Sequence, residues 1–384
     1  MSQRSLLRLV LPQLAVVAVL YLISGAALAA IPLFLARELK FGPTVVGLVT
    51  GLPFLLAIGT RVLAGTFADR HGPKRTLQLG FGLGALAGAI GLIAVALSAQ
   101  PAWAAGFLLL SRIFLTTAEG YVVIGAQTWG LALAGPSRSG LIVGWVGTAM
   151  FGAMAAGAPI GGALFLGWGY GAVTLVALCG SLVMFVPLMR MHAVSVAGGA
   201  VLRLSEVVMR ILWYCVAIAF VGFSYGSIVS FSVLLFEERN MQPSWAALTL
   251  FSVGLVVARV LTGGLPDRFG GTRVALWSLV VLNFGMMGMA LAPDRILAFV
   301  CAFVAGVGYA LVFPAIGREA LARIPDRNRG SALAVYSSAV FVTLGVAGPF
   351  LGLMASHFSV GAVFLFASLM GWVAIGVILR TKST

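Results

Sequence analysis

Long apolar runs dominate the chain, with polar positions confined to the short gaps between them. The runs recur about every 32 residues, near 11–35, 45–67, 76–98, 103–133, 140–166, 170–189, 209–236, 245–265, 274–292, 296–322, 331–356 and 360–380. A hydrocarbon core about 30 Å thick is crossed by about 20 helical residues. Inside it every backbone N–H and C=O must be satisfied within the segment, which a helix does. The pattern therefore predicts an all-α integral membrane protein with twelve transmembrane helices. Runs well above that length predict tilted or protruding helices. The first run follows Arg4 and Arg8 and has the outline of a cleavable leader. It continues through Ile31, Pro32 and Phe34 to Ala36, so it is read as a span.

Composition closes off the soluble alternatives. Of 384 residues, 61% are hydrophobic and 9% charged, against about 25% charged in soluble proteins, and the mean hydropathy is +1.10. A water-soluble enzyme, a nucleic-acid binder and a disordered chain are all excluded by so little charge. The net charge of +14 comes from Lys and Arg in the gaps and forms no basic stripe with interleaved aromatics. No nucleic-acid partner is expected. Cys179, Cys215 and Cys301 sit inside apolar runs without metal-binding spacing, and His71, His192 and His357 fall in separate gaps. No metal and no cofactor are expected, and no phosphate-binding loop for ATP is present. Gly80, Gly84 and Gly88 follow helix-packing spacing in lipid rather than a dinucleotide loop.

Basic residues orient the chain, because short cytoplasmic loops are enriched in Lys and Arg. With the N-terminus inside, the outer gaps hold Arg37, Lys40, Arg239 and Arg295, and the spans hold Arg61, Arg112, Arg259 and Arg318. The remaining sixteen of the 24 face the cytoplasm, so both termini are expected there.

The chain is also written twice. Residues 61–70 (RVLAGTFADR) and 259–268 (RVLTGGLPDR) agree at six of ten positions at an offset of 198. Gly157-Ala158-Pro159 and Ala347-Gly348-Pro349 repeat at an offset of 190. Two six-helix halves are expected, 1–189 and 209–384, joined by a short cytoplasmic linker, 190–208. Parallel repeats of this kind are one transporter layout, with the substrate site at mid-membrane between the halves.

The segment from Gly65 through Asp69, Arg70, Gly72, Lys74 and Arg75 resembles the signature loop between helices 2 and 3 of the major facilitator superfamily. Gly263 to Arg273, including Asp267 and Arg268, is similar to its degenerate second copy. Stretches 60–75, 309–317 and 330–349 resemble the bacterial exporters called arabinose-efflux-permease-like, which lie near the drug/proton antiporters. The resemblance implies a fold of two pseudo-symmetric bundles and a gating role for Gly65, Asp69, Arg70, Gly72, Lys74, Arg75, Asp267 and Arg268. On physical grounds Gly65 would allow close helix approach, and Gly72-Pro73 would turn the chain quickly. Gly157, Pro159, Gly161 and Gly162 are similar to the glycine-rich run of antiporter helix 5, although Ala158 stands where a glycine is usual. Gly157, Pro159, Gly161, Gly348 and Pro349 are expected to serve helix packing.

Ionisable residues inside spans are expensive and thus functional candidates. Among ten acids only Glu119 falls near the middle of a span, with Arg112 seven residues earlier on the same helix face. Arg112 resembles the arginine that antiporters of the family carry in helix 4, although Thr116 stands where their glycine is expected. Desolvation favours a neutral carboxyl and a nearby cation favours its ionised form, so such a group suits proton loading and release. Glu119 is expected to couple protons, with Arg112 as its modulator; a structural salt bridge is the plain alternative. The resemblance places a cavity between helices 1, 4, 7 and 10, with Tyr21, Ser24, Gln127, Phe223, Tyr225, Ser227, Tyr309 and Phe313 as candidate lining residues. Hydroxyls, aromatics and one carboxyl suit an amphipathic or weakly cationic solute.

The expected function is secondary active transport by a monomer in a bacterial inner membrane, exporting a small-molecule substrate against protons, and not enzymatic catalysis. Proton-coupled uptake of a sugar or metabolite and a non-transporting receptor or assembly factor are the alternatives.

Overall fold

A computed structural model describes residues 3–134, 139–190, 204–324 and 329–381; within these ranges the side chains of Asp69 and Asp267, among others, lie outside the described set. Most of the expected linker 190–208 lies outside it too. All regular structure among the described residues is helical: α1 (Gln3–Leu33), extended by a π-helical turn at Phe34–Glu38, α2 (Pro43–Ala96), α3 (Pro101–Ala134), α4 (Ser139–Trp168), α5 (Tyr170–Arg190), α6 (Leu204–Glu238), α7 (Ala246–Thr262), α8 (Leu265–Phe269), α9 (Gly271–Leu291), α10 (Arg295–Ala322), α11 (Arg329–His357) and α12 (Val360–Thr381). Two expected spans, 45–67 and 76–98, form the two limbs of α2, separated at Gly72 (φ 81°, ψ 161°). That backbone conformation is open to glycine and strained for other residues. The equivalent glycine 198 positions on, Gly270 (φ 84°), separates α8 from α9, so the repeat extends to the backbone of the turn.

Among the described residues, eleven helical segments are long and apolar enough to cross a membrane, and α7 is a shorter apolar helix. The eighth expected span, 245–265, is met by this shorter helix. With 17 residues, α7 rises about 26 Å at 1.5 Å per residue. The chain then breaks at Gly263-Gly264 and restarts as α8, whose early Pro266 lacks the N–H needed to continue a helix.

The described chain divides into two compact units: residues 1–40 with 56–198, and residues 41–55 with 199–384. The first limb of α2 thus contributes its opening residues to the second unit. In the first unit α1 packs on α4, α3 and α5. Gly157 and Gly161 of α4 lie against the α1 backbone at Leu22 and Ala26, where an added Cβ would overlap the carbonyl oxygens. Gly80, Gly84 and Gly88 likewise meet Val122, Ser181 and Leu178. In the second unit α10 packs on α9 and α7, and α6 on α11 and α12; Gly348 of α11 lies against Gly47 and Gly51 of α2. Gly65 departs from expectation: a Cβ there would meet no atom within 4 Å among the described residues, because its side of the helix faces open space. Close helix approach is therefore not its role in this structure.

Candidate functional site

The site in the first unit starts from one face of α3. Arg112, Thr116 and Glu119 stand four and three residues apart, so they share a stripe, and all three are buried. Helical side chains lean toward the N-terminus, which carries the Glu119 carboxylate back toward Arg112 and lets the long guanidinium close the remaining gap. The result is an ion pair: Arg112 NH1 lies 3.4 Å from Glu119 Oε1, with the side chains 1% and 8% exposed. The expected pairing across two turns is thus a direct contact.

α1 supplies the second partner. Ser24 Oγ donates to the same Oε1 at 2.6 Å. Tyr21, one turn earlier on α1, is buried. The Arg61 guanidinium from α2 forms a side-chain hydrogen bond with the Tyr21 hydroxyl, and its stem runs beside Gly120, where a Cβ would come 3.3 Å from Arg61 Cγ. Three helices therefore gather one carboxylate, two guanidiniums and two hydroxyls inside one unit. The sequence places Arg61 inside a span and assigns it no partner. Its place beside Glu119 depends on how α2 is rotated against α3, which its own neighbours in sequence do not encode. Gln127 is half-buried two turns beyond Glu119 on α3.

In the second unit the expected lining residues engage one another. Tyr225 stacks on Tyr309 (centroids 5.3 Å apart, 18° between planes), with Phe251 alongside. Phe223 packs edge-on against Phe366 at 5.6 Å and against Phe350 at 6.2 Å. Ser227 Oγ donates to the Phe223 carbonyl within its own helix at 2.9 Å. Phe313 meets Tyr336 at 4.8 Å, and the Tyr336 hydroxyl donates to the Phe313 carbonyl at 2.9 Å. Arg259, the repeat partner of Arg61, donates to the Ala310 carbonyl at 3.3 Å, next to Tyr309.

Of the signature-loop residues, Lys74 donates to the Met189 carbonyl at 2.8 Å, in the last turn of α5, where the helix dipole attracts a cation. Arg70, Arg75 and Arg268 are exposed. In the second copy Arg318 donates to the Pro266 carbonyl. The side chains of Asp69 and Asp267 lie outside the described residues.

Among the described residues, this many membrane-length helices with an ion pair buried inside one bundle define a multi-pass membrane protein. The sequence profile of the Major Facilitator Superfamily matches residues 14–248 and 212–383. An uncharacterized MFS-type transporter of Burkholderia mallei (strain SAVP1) is 34% identical over 94% of this chain and 88% of its own length. Another from Salmonella typhimurium (strain LT2) is 31% identical over 94% of both chains. Among solved structures, a D-xylose-proton symporter superposes with a TM-score of 0.78 at 14% identity, covering 97% of each chain. A bacterial homolog to the human lysosomal transporter Spinster gives 0.75 at 15%, covering 99% of each; at such identities the likeness concerns the fold. The chain belongs to the Major Facilitator Superfamily. It is a transporter and not an enzyme.

Proposed function

We propose that this transporter exports a small organic solute in exchange for protons, with Glu119 as the proton-coupling group and Arg112 as its modulator. The observation that carries the reading is the Glu119 carboxylate, buried at mid-helix and held at one oxygen by both Ser24 and Arg112. Two partners on two helices hold one carboxylate oxygen, and protonation would release both at once, so proton binding would be felt by α1 and α3 together. The glycine-rich face of α4 against α1 supports the antiporter resemblance. Within this reading the halves are 1–189 and 209–384, linked by 190–208, and both termini face the cytoplasm of a bacterium whose inner membrane holds the protein as a monomer. The signature-loop residues, from Gly65 to Arg75 with Asp267 and Arg268, serve the alternation between access states. Tyr21, Ser24, Gln127, Phe223, Tyr225, Ser227, Tyr309 and Phe313 contribute to solute binding.

The test is transport in proteoliposomes under an imposed pH gradient, with a panel of solutes, for wild type and Glu119→Gln. The expected outcome is loss of gradient-driven transport with solute counterflow retained. Gradient-driven transport that survives the substitution overturns the proposal. Proton-coupled uptake is the second reading, favoured by the D-xylose-proton symporter among the structures sharing the fold. The sign of the pH change that accompanies solute movement separates the two.

A further inference from the structure

The first unit holds a small, partly open cavity of about 20 Å³ beside Arg112, lined by Ala27 and Ile31 of α1, Ser111 and Arg112 of α3, and Tyr170 and Thr174 of α5. Its α1 wall begins one turn beyond Ser24, the residue that holds Glu119. A volume above roughly 10–15 Å³ with two to four polar partners accommodates a water molecule. Here a guanidinium and three hydroxyls supply the partners. Ser111 and Thr174 already donate to the carbonyls of Ala87 and Gly171, which leaves their oxygens as acceptors toward the cavity.

Two further observations give this cavity a direction. Tyr170, the first residue of α5, is stacked on Phe34 with centroids 4.7 Å apart and 15° between planes. Phe34 in turn opens the π-helical turn that ends the first helix, and such turns recur at functional sites. The aromatic pair therefore stands between the cavity and the end of the unit at which α1 finishes and α3 and α5 begin. On the other side, Thr116 lies between Arg112 and Glu119 on the α3 stripe, and its buried hydroxyl has no hydrogen-bond partner among the described residues.

We propose that the cavity is a water site through which protons travel between that end of the unit and Glu119, by a route inside the bundle that the solute does not use. The relay rests on the reading of Glu119 as the coupling group. The cavity water takes a proton from solvent past the Phe34–Tyr170 pair and passes one on to the Thr116 hydroxyl. That hydroxyl, which has no partner among the described residues, hands its own proton through a second water to the Glu119 carboxylate, whose bonds to Arg112 and Ser24 then break; release runs the same steps backward. The charged or titratable groups facing Glu119 and the cavity are Arg112, Arg61, Tyr21 and Tyr170. Under the orientation proposed above, this end is the outer face.

The experiment follows protonation of Glu119 in the purified full-length protein after a pH jump, by time-resolved infrared spectroscopy of the carboxyl band that Glu119→Gln removes. Ala27→Val fills the cavity; Thr116→Val and Tyr170→Phe remove hydroxyls at nearly constant size. Each variant is expected to slow protonation by about tenfold, the effect of one lost hydrogen bond in the relay, with the titration midpoint unmoved in Thr116→Val. Unchanged rates in Thr116→Val and Tyr170→Phe overturn the route even if Ala27→Val fails to fold, and they leave the role of Glu119 standing. Absence of any titrating band lost in Glu119→Gln sinks the coupling role itself, and the relay with it.

Discussion

Replacing Arg112 by Met tests whether the ion pair holds the first unit together. The substitution keeps a long apolar side chain but strands the Glu119 carboxylate, whose side chain is 8% exposed. At 3.4 Å and an effective dielectric of about 20, the lost attraction is about 5 kcal/mol. Ser24 still donates to the carboxylate at 2.6 Å, a bond to a charged group worth about 1.5–3 kcal/mol, so the carboxylate keeps one partner. Breaking a buried pair typically costs about 3–5 kcal/mol, whereas removing both charges together is often neutral. The expected loss for Arg112→Met is therefore about 3–5 kcal/mol, or about 4–6 °C in apparent Tm if unfolding entropy per residue resembles that of soluble domains. The double variant Arg112→Met/Glu119→Gln should recover most of it. Thermal unfolding in detergent, followed by intrinsic fluorescence, reads both. A single variant as stable as wild type, or a double variant no better than the single, would refute the argument that the charges stabilise one another.

Three further outcomes follow from the packing. Gly161→Leu forces a side chain into the α1 backbone at Ala26 and should cost at least the 1–3 kcal/mol typical of overpacking, seen as a lower Tm or loss of folded monomer on size-exclusion chromatography. Gly72→Ala and Gly270→Ala, at φ 81° and 84° with extended ψ, should each lose about 1–3 kcal/mol. Comparable losses at the two sites would show that both copies of the turn use the same backbone. Lys74→Gln removes the cation at the Met189 carbonyl and should cost only about 0.3–1 kcal/mol, shrinking with added salt, as followed by Tm across a salt series.

The spans, the repeat and the position of the buried acid were legible because each depends on one helix at a time. Apolar run length marks a membrane helix wherever its neighbours lie, and Glu119 stands out in any span because its surroundings are apolar. What connects helices was not legible in the same way. That Ser24 bonds Glu119 depends on the rotation of α1 about its own axis against α3. Arg61 reaches Tyr21 and Gly120 only because α2 passes alongside both. The role expected of Gly65 failed for the same reason: a glycine permits close approach, but the partner helix decides whether approach occurs. The shortness of α7 was readable in principle, since Gly263-Gly264-Leu265-Pro266 carries both a flexible pair and a helix-breaking proline. The continuous apolar character through residue 265 masked it.

The repeat also shows where the two units part ways. Arg61 and Arg259 are repeat partners at an offset of 198, and each reaches one helix of its own unit: Arg61 lies beside Gly120 of α3, and Arg259 donates to the Ala310 carbonyl of α10. Gly120 and Ala310 are themselves related by the other offset, 190, as are Glu119 and Tyr309. The duplicated element is thus an arginine laid on the same turn of equivalent helices, α3 and α10. Only the residue before that turn differs, a carboxylate in one unit and a phenol stacked on Tyr225 in the other. A phenol holds its proton far above neutral pH while a carboxyl ionises below it, so a scaffold written twice carries a group suited to proton exchange once. Under the proposed function, that asymmetry assigns proton handling to the first unit and solute contact to the aromatic stack of the second. A Tyr309→Glu variant should therefore bring a second buried acid beside Arg259, and proton release per solute moved, measured with a pH dye in proteoliposomes, should rise only if this turn is what couples protons.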